Sequence, residues 1–128
     1  MQVRWARPTD RLPELERFYC EGLGLRKLGG FEGHAGYDGI FIGLPGLGYH
    51  LEFTRHEHGS PCPAPTRDNL LVFYLGEEAA VRRVAARLAE MGYPAVEPEN
   101  PYWIGKSVTI EDPDGWRVVL VWTSGLGE

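Results

Sequence analysis

The chain has 128 residues, 43% hydrophobic and 24% charged, with a formal net charge of −5. A chain of this length buries a core without covalent staples, and the composition excludes a disordered, collagen-like or coiled-coil protein. No apolar run reaches the ~18 residues of a membrane span and no secretory signal opens the chain, so no membrane association is expected. Basic residues are scattered, so nucleic acid is not an expected partner either. Cys20 and Cys62 form neither a disulfide framework nor a metal-ligand spacing, and the expected setting is the cytoplasm.

Seventeen glycines, ten prolines and fifteen aromatic residues predict strands joined by tight turns. Val3 to Ala6 reads as a strand, broken by Arg7-Pro8-Thr9-Asp10. Thr9 or Asp10 can cap a helix whose first turn suits Pro13. Leu15, Phe18 and Tyr19 form its apolar stripe, and Gly22 or Gly24 can end it. Leu25 to Leu28 reads as a short strand and Gly29 to Gly39 as a loop holding Tyr37. Ile40 to Leu44 and Tyr49 to Thr54 read as a hairpin around Pro45-Gly46-Leu47-Gly48. Arg55 to Asp68, with His56, His58 and three prolines, has the composition of a linker.

The pattern then starts again. Asn69 to Leu75 is an apolar strand, and Glu77 and Glu78 suit a helix N-terminus. Ala79, Val81, Val84, Ala85, Leu88 and Met91 follow the helical period, and Gly92 stops it. Tyr93 to Val96 is short and extended. Val108 to Ile110 and Trp116 to Trp122 flank the turn Asp112-Pro113-Asp114-Gly115. Both halves read βαβββ. The hairpin Ile40-Phe41-Ile42, Pro45, Tyr49 to Phe53 parallels Val108-Thr109-Ile110, Pro113, Trp116 to Leu120. An internal repeat of this size, present twice, predicts two sister modules. They span residues 1–58 and 66–128, with the linker at 56–68, in a single 128-residue α+β domain.

The helix ending Phe18 to Leu25 and the closing hairpin Asp112 to Gly115, set in two βαβββ modules, resemble the vicinal oxygen chelate superfamily. This is the group of glyoxalase I, bleomycin-resistance proteins and extradiol dioxygenases. Ala6 to Thr9, Gly36 to Gly39, Tyr49 to Thr54 and Asp68 to Tyr74 resemble its YycE-like branch. The resemblance implies a curved mixed sheet, a half-barrel whose concave faces make a cavity. It also implies a homodimer and a small-molecule ligand.

The superfamily's metal ligands come from the first and last strand of each module. Here these positions fall on Arg4, Glu52, Asn69 and Val119, with Trp5 and Arg7 left open by the count along the first strand. Only Glu52 is a good ligand; valine cannot ligate, arginine is a permanent cation and asparagine is a weak donor. The expectation is therefore no metal site and no cofactor, with a divalent metal as the alternative.

Glu52 reads as ligand or general base, or as a structural carboxylate paired with arginine. Arg4 and Arg7 can clamp an anion or hold Glu52. His50 shares the strand face of Glu52 and is, with it, a candidate catalytic residue. Asn69, Trp103 and Trp116 complete the candidate ligand contacts, with Tyr37, Tyr49 and Tyr102 beside them. Three functions compete. One is a small-molecule binder without a complete metal site. The second is a divergent metal-dependent lyase, isomerase or dioxygenase using Glu52 and His50. The third is a domain acting mainly through dimerisation or protein contacts.

Overall fold

The computed structural model describes residues 1–126. The chain divides into two compact units, Met1–Cys62 and Pro63 onward. No helix of the described residues is long and apolar enough to cross a membrane.

The first module runs β1 (Val3–Pro8), α1 (Leu12–Glu16) continuing as a π-helical turn (Arg17–Gly22), β2 (Arg26–His34), β3 (Tyr37–Gly43) and β4 (Tyr49–His56). Its four-stranded sheet has the order β1-β4-β3-β2, with β1 parallel to β4 and the other pairs antiparallel. Pro13 sits in the first turn of α1, where its missing N–H costs nothing. Leu15, Phe18 and Tyr19 are buried along one face of the helix. Tyr19 stacks 5.1 Å from Phe53 of β4, and Leu51 and Ile42 complete this layer. Gly24, at a φ of 87°, ends the helical segment, in a conformation that glycine adopts without steric cost.

The second module runs β5 (Leu70–Tyr74), α2 (Glu78–Glu90), β6 (Ala95–Val96), a 3₁₀ turn (Pro101–Trp103), β7 (Ser107–Glu111) and β8 (Arg117–Val121). Its sheet order is β5-β8-β7-β6, with β5 parallel to β8. Val81 and Leu88 of α2 are fully buried, as are Ile110 and Val118 of the sheet it packs on. Asp112 closes the β7–β8 turn by accepting from the N–H groups of Asp114 and Trp116 at 2.8 and 3.0 Å. Each module is thus βαβββ, and the expected mixed sheet is formed as two four-stranded sheets, one per module.

Three local expectations change. The segment Gly29 to Gly39 is no loop; it belongs to a hairpin of nine- and seven-residue strands. Its two-residue turn, Ala35-Gly36, has positive φ at both positions, 52° and 86°, which matches the twist of the flanking strands. Glycine is tolerated in these strands because Phe31 lies over Gly39: a Cβ there would stand 2.4 Å from the ring. Thr9 and Asp10 do not cap α1, whose N-cap is Arg11 without a side-chain cap bond. Thr9 Oγ1 instead accepts from Arg11 N at 2.9 Å, and Asp10 Oδ1 accepts from Ser60 N. Finally, β4 continues to His56, so the linker loses its first residues to the sheet.

Candidate functional site

Side chains alternate between the two faces of a strand. On β4, Leu51 and Phe53 are buried on the helix side, so His50, Glu52 and Thr54 lie on the opposite face. The parallel register sets Arg4 beside His50 and Ala6 beside Glu52. The antiparallel register sets Phe41 beside Glu52. Four side chains from three strands therefore meet on one patch of the first module.

Arg4 organises it. Its Nε donates to His50 Nε2 at 2.9 Å. Its Nη1 lies 3.8 Å from Glu52 Oε1, and its guanidinium carbon lies 4.7 Å from the centre of the Phe41 ring. Phe41 also meets His50 edge to face at 6.2 Å. Because Arg4 Nε always carries its hydrogen, His50 Nε2 supplies a lone pair, and the neutral ring holds its proton on Nδ1. The Glu52 side chain is 14% exposed but that of Arg4 is 51% exposed, so the guanidinium presents donors outward from a partly covered carboxylate. Such a group can bind an oxyanion in a forked geometry.

The other sequence candidates lie elsewhere. Arg7 is three residues from Arg4 and so on the opposite face. It is 4% exposed, 5.0 Å over Phe53 and 5.9 Å from Trp5, and it does not share the patch of Glu52. Asn69 lies in the second module one residue before β5, where its Oδ1 accepts from the Thr66 hydroxyl at 2.6 Å. Backbone register also corrects its place in the repeat. Val119 pairs with Val72 as Glu52 pairs with Ala6, so the equivalent of Arg4 is Leu70, not Asn69. Counting along the chain missed this by one residue, because loops carry no register and only strand pairing does.

Trp103 ends the 3₁₀ turn, where its carbonyl accepts from Ser107 Oγ at 2.7 Å and its ring meets Tyr102 at 5.0 Å. Trp116 closes the Asp112 turn, one residue before β8. Tyr37 is a strand residue against His56, at 4.8 Å, rather than a loop residue. Burial raises the pKa of the Tyr49 phenol at the start of β4.

The residues present do not fit a divalent metal. The patch on the first module offers one carboxylate, Glu52, and one imidazole, His50, and both face the Arg4 guanidinium. The equivalent strand positions of the second module are Leu70 and Val119, which have no donor atoms. No group of three or more His, Cys, Asp or Glu side chains able to hold a metal gathers among the described residues. A catalytic zinc site takes three protein ligands, and a facial triad needs two histidines and a carboxylate.

Two residues of this face escaped the sequence reading. Phe41 and Phe31, 5.9 Å apart, make an apolar wall beside Arg4. Period two from Gly39 to Phe41 carried the signal for Phe41, but only the cross-strand register shows that it neighbours Glu52.

Comparison with known proteins agrees with this architecture. The chain matches the YycE-like N-terminal domain over residues 3–54 and the YycE-like C-terminal domain over residues 68–122. The YycE protein of Bacillus subtilis (strain 168) is 52% identical over 125 residues, covering 98% of this chain and 90% of that protein. Its crystal structure, described as of unknown function and related to glyoxalase and fosfomycin-resistance proteins, superposes with a TM-score of 0.93 over 98% of this chain and 92% of that one. The trypanothione-dependent glyoxalase I of Leishmania major shares the fold at 18% identity, with a TM-score of 0.75 over 94% of this chain and 85% of that one. TnmS3, an antibiotic-binding protein from Streptomyces sp. CB03234, does so at 23% identity, with a TM-score of 0.66 over 94% and 93%. The chain belongs to the YycE-like family of the vicinal oxygen chelate superfamily.

Proposed function

We propose that this member of the YycE-like family binds a small organic molecule carrying an anionic group on an apolar body, without a resident metal. The observation that carries the reading is the position of Arg4. It occupies both His50 Nε2 and the vicinity of Glu52, the two donors a metal would use, and still presents half of its side chain outward. Glu52 holds the guanidinium in place, His50 fixes its rotation, and Phe41 and Phe31 offer the ring faces on which an apolar body packs. TnmS3, of the same fold, is described as an antibiotic-binding protein, which supports the reading without naming the ligand. We place the protein in the cytoplasm as a homodimer.

The experiment is a thermal-shift screen of aromatic carboxylates and phosphonates, run beside Mn²⁺, Ni²⁺, Zn²⁺ and Fe²⁺. A ligand binding only the folded state raises the melting temperature by mass action. Stabilisation by an organic anion that is lost in Arg4→Leu supports the proposal. Stoichiometric retention of a transition metal, lost in Glu52→Ala, overturns it in favour of a metal-dependent lyase, isomerase or dioxygenase built on Glu52 and His50.

A further inference from the structure

The strand β2 (Arg26–His34) ends the sheet of the first module, and no strand of the described residues pairs with its outer side. Seven of its nine residues are exposed. Such an edge is a template for pairing with another chain, and native proteins usually shorten, cover or charge it. This one is long and uncovered. Its charges are not scattered but divided: Arg26 and Lys27 open the strand, Glu32 sits near its end, and glycines 29 and 30 lie between.

We propose that two copies of this chain pair antiparallel through β2, about a two-fold axis at Gly30. This rests on the homodimer reading above and names its interface. The bulge at Leu28, between the pairs Lys27↔Ile42 and Gly29↔Phe41, shifts the alternation of the strand by one residue. Lys27 thereby shares a face with Gly30 and Glu32, and Gly29 shares the opposite face with Phe31. The axis at Gly30 sets Lys27 against the partner's Glu32, and Glu32 against the partner's Lys27. On the other face Phe31 covers the partner's Gly29, next to Phe41, which would stand 3.5 Å from a Cβ at Gly29.

A two-fold interface has to be self-complementary, and this strand is. Its basic start meets the acidic end of its copy twice. Lys27 reaches Glu16 of its own helix at 3.4 Å, so its ammonium is already directed to the helix side. Glu32 has no ion pair among the described residues. The outward N–H groups of one edge donate to the outward C=O groups of the copy, and the reverse, as in strand addition generally.

The test is the dimer dissociation constant, measured by sedimentation on the full chain at low and high salt. Glu32→Lys and Lys27→Glu are both on exposed positions, and each makes two like-charge contacts across the axis. Each is expected to raise the constant about tenfold at low ionic strength, with the difference shrinking as salt is added. Mixing the two variants restores both pairs, and the heterodimer is expected to recover wild-type affinity. A wild-type chain that is monomeric at micromolar concentration overturns both this proposal and the homodimer. A dimer whose affinity Glu32→Lys leaves unchanged overturns this interface alone.

Discussion

Replacing Arg4 by leucine, the residue at the equivalent position of the second module, tests the electrostatic core of the site. At 3.8 Å the Arg4–Glu52 attraction is about 4 kcal/mol in an effective dielectric of 20. Arg4 is half exposed, so solvent screening and the cost of ordering two side chains reduce the net term to about 1 kcal/mol. The bond from Arg4 Nε to His50 adds about 0.5–1.5 kcal/mol. Arg4→Leu is therefore expected to cost about 1.5–2.5 kcal/mol, and Glu52→Gln about 1 kcal/mol. The double variant should cost less than the sum of the two, by about 1 kcal/mol. Urea unfolding followed by tryptophan fluorescence measures all four corners of the cycle. A coupling below about 0.3 kcal/mol, the usual scatter for independent sites, would refute the claim that Arg4 and Glu52 act as a pair.

Other outcomes follow from single contacts. Gly39→Ala drives a Cβ to 2.4 Å from the Phe31 ring and is expected to destabilise the first module by about 1–3 kcal/mol. Phe31→Ala should then be neutral or rescuing in the Gly39→Ala background, and a Gly39→Ala protein as stable as wild type removes the Phe31 explanation. The raised pKa of Tyr49 means that the unfolded chain loses this proton first. Stability from this group is intact below the ordinary tyrosine value of 10.0 and falls as pH rises through the folded value. Tyr49→Phe should flatten the alkaline limb of the stability profile, and an unchanged limb counts against it. Burial, then Glu16, raises the pKa of the Cys20 thiol, against a smaller opposing effect of Lys27. Its alkylation by iodoacetamide near neutral pH should be slower than in the urea-unfolded chain, and equal rates would contradict this.

The repeat, both helices and the two closing hairpins are determined by the sequence itself, because local chemistry is enough for them. Alternation marks Ile40 to Ile42 and Tyr49 to Phe53, the helical period marks Val81 to Leu88, and Asp112 builds its turn from neighbours two and four residues away. Glu52 and Arg4 are singled out by the resemblance, which sets the superfamily's ligand positions on them. Tertiary structure decided the rest. Glycines 29, 30 and 39 have low strand propensity, and close approaches across the hairpin hold them in strands: Phe41 beside Gly29, the Gly39 carbonyl beside Gly30, and the Phe31 ring over Gly39. Whether Arg4 or Arg7 meets Glu52 is a matter of strand parity, and a shift of one residue moves a side chain to the other face. The same one-residue sensitivity separates Leu70 from Asn69, and it is why Phe41, eleven residues from Glu52 in sequence, is its neighbour in space.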